Sequence, residues 1–165
     1  VSQSQIHYHF ENKRKLYNLV FQRRFGQYFA AQAQLLELED LRGLDRMKAS
    51  IEAYFRFFQA NPGFAQMMMR AHLDLDHLEE PMPQQLIEVG AQVIGAAQER
   101  RDLRDDVPPE MMLLTFLAMV SQWFVTRDHH LAGEPEGTNA EDLDEIYLDT
   151  ILKIFLRGIE PLEGE

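Results

Sequence analysis

Apolar residues in this chain recur at three- and four-residue intervals, and no stretch alternates apolar with polar as a half-buried strand would. That spacing confines the chain to an all-α fold. It predicts a long helix from Lys13 to about Glu39, through Leu16, Leu19, Val20, Tyr28, Leu35 and Leu36, with Gly26 a point where the helix weakens or bends. A helix of that length spans about 40 Å. A further helix follows Gly43 and carries Leu44, Met47, Ile51, Tyr54, Phe55 and Phe58 on one broad face. Asn61–Pro62 reads as an N-cap with proline at the first helical position, restarting the chain into a helix with Phe64, Met67, Met68 and Leu73. The acidic, proline-bearing stretch Leu75–Pro83 reads as a loop, and a helix from about Gln84 to Arg101 follows it. Asp106 and Pro108–Pro109 open the next helix, which reaches about Leu131. After the loop at residues 133–138, Thr138 and Glu141 form an expected capping box for a last helix, which Gly158 and Pro161 stop.

With 165 residues, 45% of them hydrophobic, the chain can bury the core of one domain, or of one domain plus a fragment. The net charge of −11 by itself argues against a polyanionic partner, but its distribution does not. The first 24 residues hold five basic side chains and one acidic (net +4), the rest 11 basic and 26 acidic (net −15). A basic end on an acidic body is the polarity expected of a chain that presents one end to a polyanion. The absence of cysteine excludes disulfides and thiolate metal sites and is compatible with a cytoplasmic location. Met111–Thr126, the longest apolar stretch, includes Thr115, Ser121 and Gln122 and ends at Arg127, so it reads as a buried or interfacial helix rather than a membrane span.

The basic end has its own pattern. Ser2 and Gln5 make an S-x-x-Q capping box, and Val1 and Ile6 a hydrophobic staple around it. Ile6 and Phe10 fall on one face, four residues apart. Gln3, Ser4, Gln5, His7, Tyr8 and His9 occupy the remainder, all of them able to hydrogen-bond. A short helix with one narrow apolar stripe suits a major groove, where glutamine pairs bidentately with adenine and serine, histidine and tyrosine reach bases or phosphates. Asn12 is placed to cap the next helix, and Lys13, Arg14 and Lys15 sit in its first turn, where the helix dipole disfavours cations unless phosphates lie opposite.

The run Val1–Ser2–Gln3–x–x–Ile6–His7–Tyr8–His9–Phe10–x–Asn12–Lys13–x–x–Leu16 resembles the signature that leads from recognition helix to connecting helix in the TetR family of bacterial transcriptional regulators. About 20 residues carry the resemblance directly; the remainder agrees in architecture. His7 departs from it, standing where the family usually has tyrosine. The resemblance implies two helices ahead of Val1, so the chain is expected to be a truncated, cleaved or partly disordered form of such a regulator. It further implies a division into residues 1–40, the later part of a helix-turn-helix domain with its connecting helix, and residues 41–165, a helical-bundle domain for ligand binding and dimerisation. Gln3, Ser4, Gln5, His7 and Tyr8 would enter the major groove of a palindromic operator, and His9 and Lys13 would hold phosphates. The expected function is a DNA-binding regulator, most often a repressor in this family, released by a small, apolar effector. The alternative is a helical protein-interaction module that binds no DNA.

Two further surfaces follow from patterning. Met111–Val125 is apolar nearly all round, and the last helix carries its own wide apolar stripe. Two such helices from each of two chains would make a two-fold four-helix interface, with Leu117, Val120, Phe124, Tyr147, Ile151, Ile154 and Phe155 at a homodimer seam. TetR relatives dimerise in this way. Phe55, Phe58, Phe64, Met67, Met68, Leu86 and Trp123 are the expected lining of a ligand cavity, since methionine adapts to varied shapes; the competing reading is that they are ordinary core.

Catalytic and metal readings are weaker. His72, Asp74, Asp76 and His77 are metal-ligand types, but on a helix His77 would point away from the other histidine, and the prolines put the stretch near a loop. No G-x-S-x-G turn or paired Glu-x-x-His helices occur. Neither an enzyme, a cofactor nor a bound metal is expected.

Overall fold

The computed structural model describes residues 13–37, 41–73 and 84–162. Six helices form, α1 Lys13–Glu37, α2 Gly43–Ala60, α3 Pro62–Leu73, α4 Gln84–Glu99, α5 Pro109–Leu131 and α6 Ala140–Ile159, and the described residues include no strand. The fold is all-α, as the periodicity requires. The described helices include none long and apolar enough to cross a membrane.

Helices α2 and α5 form the centre. Helix α2 packs against α1, α3, α5 and α6, and α5 against α2, α3, α4 and α6. This explains why Met111–Val125 is apolar nearly all round. Met112, Leu113, Phe116, Leu117, Val120, Trp123 and Phe124 are all buried within the chain itself, against four neighbouring helices. A second chain is not needed to account for that composition.

Aromatic rings fill the middle. Phe55 and Phe58 of α2 meet Phe124 of α5 with centroids 4.8 and 5.6 Å apart, and Phe64 of α3 lies 5.9 Å from Phe58. Helix α1 joins through Phe21, Phe25 and Tyr28, spaced four and three apart on one face and all buried. The Leu19 and Val20 side chains instead face outward. Two apolar stripes compete along that helix, and the aromatic one wins because each ring buries more area and gains an additional ~0.5–1.5 kcal/mol from ring pairing.

Several boundaries were set by local hydrogen bonding that the sequence pattern missed. Asn139 caps α6, its Oδ1 accepting from the Asp142 N–H at 2.8 Å and its amide donating to Asp142 at 2.7 Å. The expected Thr138–Glu141 box is therefore shifted by one residue. Pro62 does begin α3, but the Asn61 amide donates backward to the Phe57 carbonyl at 2.8 Å, closing α2. Asp106 pairs with Arg104, and α5 starts at Pro109 with no side-chain cap. Arg101, at φ +60, ends α4 in the left-handed region, and buried Gln98 donates to the Arg104 and Val107 carbonyls at 2.8 Å each. Those bonds hold the α4–α5 loop against Gly43, whose φ of +47 and 3.0 Å clearance from Asp102 suit only glycine.

A two-faced cavity between four helices

Helices α1, α2, α4 and α5 border a half-open cavity of about 90 Å³. Its two sides differ in chemistry. Helices α4 and α5 supply Val89, Gly90, Val93, Ile94, Ala97, Leu113, Phe116 and Leu117, an apolar wall. Helices α1 and α2 supply Tyr28, Gln32, Arg46 and Ser50, with Met47 among them, and Arg100 and Leu103 close the end by the α4–α5 loop. Among the described residues, no acidic side chain lines the space.

The polar side is held in place. Gln32 donates its amide to the Ser50 carbonyl at 3.2 Å, tying α1 to α2. Arg46 donates Nε to the Leu41 carbonyl at 2.7 Å. Arg100 pairs through Nε with Asp102 at 2.9 Å. Burial pushes the Tyr28 hydroxyl far above the usual phenol range, so it stays a neutral hydrogen-bond donor at any physiological pH. Behind it stands Tyr54, wholly buried, with its ring 5.0 Å from Tyr28 and 6.1 Å from Phe116. Burial, and then proximity to Tyr28, raise the Tyr54 hydroxyl in the same direction. That hydroxyl has no hydrogen-bond partner among the described residues. An unsatisfied buried donor costs about 1–3 kcal/mol.

The apolar wall depends on one close approach. A Cβ at Gly90 would stand 2.8 Å from Leu113 Cδ2, so glycine lets α4 lie directly on α5 where the cavity begins.

This is not where the sequence pattern put the cavity. Phe55, Phe58, Phe64, Met68 and Trp123 are buried and Met67 half-buried, but none of them lines the space. The rings among them pack on one another and form core; the Leu86 side chain lies outside the described residues. Large rings at successive turns fill volume and leave no void. The cavity opens instead where α4 offers Val89, Gly90, Val93 and Ala97, residues too small to reach α1. Patterning could have found it from the glycine and short side chains of α4.

The expected seam is likewise redistributed. Leu117, Val120, Phe124, Ile151 and Phe155 are buried in this chain's own core, and half-buried Tyr147 donates its hydroxyl to the Met119 carbonyl at 2.9 Å. Of the seven, Ile154 alone is exposed, at 63%, with Ile146 of the same face equally so. Met111 is the large exposed apolar residue of α5.

Gln3, Ser4, Gln5, His7, Tyr8 and His9 lie outside the described residues, as does the side chain of Lys13, whose backbone begins α1. The His72–His77 stretch is outside the described side chains too, and no group of metal-ligand residues occurs among those described.

A polar cluster that the sequence reading did not single out joins α2, α5 and α6. Asp144, 1% exposed, accepts from Trp123 Nε1 at 2.8 Å, from Arg127 at 3.1 Å and from Gln59 at 3.3 Å. Beside it, Arg56 forms a two-pronged ion pair with Glu145. Only the surrounding burial distinguishes Asp144 from the other acidic residues of α6.

No protein-family pattern matches the chain, and no curated protein sequence does. Among solved structures it is similar to a protein with unknown function from Rhodococcus sp. RHA1, with a TM-score of 0.65 and 18% identity over 96% of this chain and 79% of that one. At that identity the likeness is one of fold.

Proposed function

We propose that this protein is a TetR-like, DNA-binding transcriptional regulator whose helical body takes a small ligand. One relationship carries the reading. Helix α1 follows directly on the residue string that resembles a recognition helix, and further along its length the same helix supplies Tyr28 and Gln32 to the cavity. From Lys13 to Tyr28 is roughly 22 Å of helix. A ligand between α1 and the α4–α5 wall therefore touches the element that would carry the DNA reader. It needs only unequal affinity for two positions of α1 to shift the spacing of paired readers, which must match one DNA turn of roughly 34 Å.

Repression, homodimerisation and the cytoplasm belong to the same proposal. The basic first 24 residues on an acidic body support it by polarity. The test uses protein expressed from its whole gene, offered a pool of random duplexes. The expected result is an enriched palindrome, bound with an affinity that falls steeply with salt as phosphate contacts release counterions. Lys13→Ala should weaken all sequences alike and flatten the salt slope by about one unit per half-site. Failure to enrich any site, or binding indifferent to salt, overturns the reading.

A further inference from the structure

We infer that the cavity binds the unbranched alkyl chain of an uncharged molecule, such as a medium-chain alcohol. This rests on reading the cavity as the effector pocket, though not on DNA binding itself.

The packing leaves a gap that hydrocarbon would fill. Helix α4 packs on α5. Toward α1 and α2 it presents Val89, Val93 and Ala97 to the cavity, and Val89 is left 41% exposed. Across the space stands Met47 of α2. Hydrocarbon moving from water to walls of this kind gains free energy in proportion to the apolar area it covers.

Shape selects a chain over a ring. The lining runs from Val89 to Ala97 along α4, roughly 12 Å of helix, and from Gly43 to Ser50 along α2, roughly 10 Å. Helices α1 and α5 contribute about one turn each, Tyr28 to Gln32 and Leu113 to Leu117. The space is therefore long, yet its volume of about 90 Å³ is well under the about 150 Å³ of an engineered void that takes benzene. A narrow space of that length fits a string of methylene groups.

The polar groups argue against a charged head. Arg46 donates Nε to the Leu41 carbonyl, Arg100 pairs with Asp102, and Gln32 gives its amide to the Ser50 carbonyl. Tyr28 is engaged by the rings of Phe25, Tyr54 and Phe57, and burial keeps its hydroxyl neutral. The cationic and amide side chains of the lining thus have partners inside the protein. An ion brought among them would lose its hydration without an equal set of hydrogen bonds in return. An alkyl chain has no such loss, and in a half-open cavity a single hydroxyl at its end stays in water.

The test titrates the whole protein with the straight-chain alcohols from pentan-1-ol to octan-1-ol, by calorimetry and thermal shift. Cyclohexanol serves as the compact counterpart of hexan-1-ol, and octanoate as the charged counterpart of octan-1-ol. The straight-chain alcohols should raise Tm saturably, with affinity climbing about fourfold per added CH2. Hexan-1-ol should bind at least about tenfold more tightly than cyclohexanol, and octan-1-ol than octanoate. Val93→Phe should fill the channel and weaken octan-1-ol binding by more than about tenfold. If Val93→Phe does not fold, Ala97→Leu serves, entering the same space one turn further along α4. Affinity that does not grow with chain length overturns the inference. So does cyclohexanol or octanoate binding as tightly as its counterpart, unchanged octan-1-ol binding in a folded variant, or no binding by any probe at millimolar concentration. Alcohol binding that leaves operator affinity unchanged upholds it while removing the effector reading. Release from operator by octanoate or cyclohexanol alone does the reverse.

Discussion

The indole N–H of Trp123 on α5 donates to a carboxylate oxygen of Asp144 on α6 across 2.8 Å, and Arg127, one turn beyond Trp123, meets the other oxygen at 3.1 Å. The indole is stacked on Tyr147, 4.3 Å between centroids and 9° from parallel, so both its edge and its face are committed to α6. Asp144→Ala would leave the indole N–H without its acceptor and half-buried Arg127 with only its longer contact to exposed Asp128. The expected loss is about 1–3 kcal/mol, several °C in Tm for a chain of this length. Asp144→Asn, which keeps an acceptor for the indole, should lose less. Urea unfolding of both variants, followed by Trp123 fluorescence, measures the difference.

Acid should weaken a second tie between α2 and α6. Hydrogen bonding from Arg56 holds the Glu145 carboxyl below the usual carboxylate range. A carboxyl depressed in the folded state contributes stability that is full above its unfolded pKa and fades as pH falls through the folded one. Both residues are exposed, so the contribution is small and screened by salt. Arg56→Gln should therefore narrow the gap between Tm at neutral pH and Tm below about pH 4, most visibly at low ionic strength. An unchanged gap would show the pair contributes nothing.

Tyr54→Phe should stabilise the ligand-free protein. It deletes a buried hydroxyl without a partner among the described residues and leaves the ring contacts to Tyr28, Phe58 and Phe116 intact. The gain should be about 1 kcal/mol or more, read as a higher midpoint in urea with unchanged slope. A loss of stability would mean the hydroxyl is satisfied after all.

These residues mark what the sequence made legible. The helices were readable because each needs only its own periodicity, and the face of α2 from Met47 to Phe58 is buried as patterned. The cavity was not, because it is defined by what α4 lacks. Gly90 and Ala97 carry no signal in a scan for large apolar residues, while Phe58 and Trp123 carry a strong one and turn out to be core. The burial of Asp144 was hidden for a related reason. Its partners lie 17, 21 and 85 residues away, beyond any local pattern.

Gly90→Ala sets two effects against each other. Alanine favours the helix by about 1 kcal/mol over glycine, while its Cβ, 2.8 Å from Leu113 Cδ2, overpacks the α4–α5 contact at a cost of about 1–3 kcal/mol. The net expectation is a loss of up to about 2 kcal/mol. The Leu113 side chain, at the end of its flexible bonds, can yield only by moving, and it forms part of the cavity wall. Ligand affinity should therefore fall by more than stability does, which paired calorimetry and melting curves would resolve.

The proposed homodimer now has a sharper test. Ile151 and Phe155 are buried within the chain, so a charge there would be trapped in the core and unfold the protein whatever its oligomeric state. Ile146 and Ile154 are each 63% exposed and lie two turns apart on one face of α6. Replacing both with glutamate touches no residue of the core cluster. If that face joins a second chain, the double variant should sediment as a folded monomer with a normal helical spectrum, and its Tm should lose the concentration dependence that a dimer displays. If Ile146→Glu with Ile154→Glu sediments as the unmodified protein does, the two-fold seam does not run along α6. The exposed Met111 side of α5 would then be the next surface to charge.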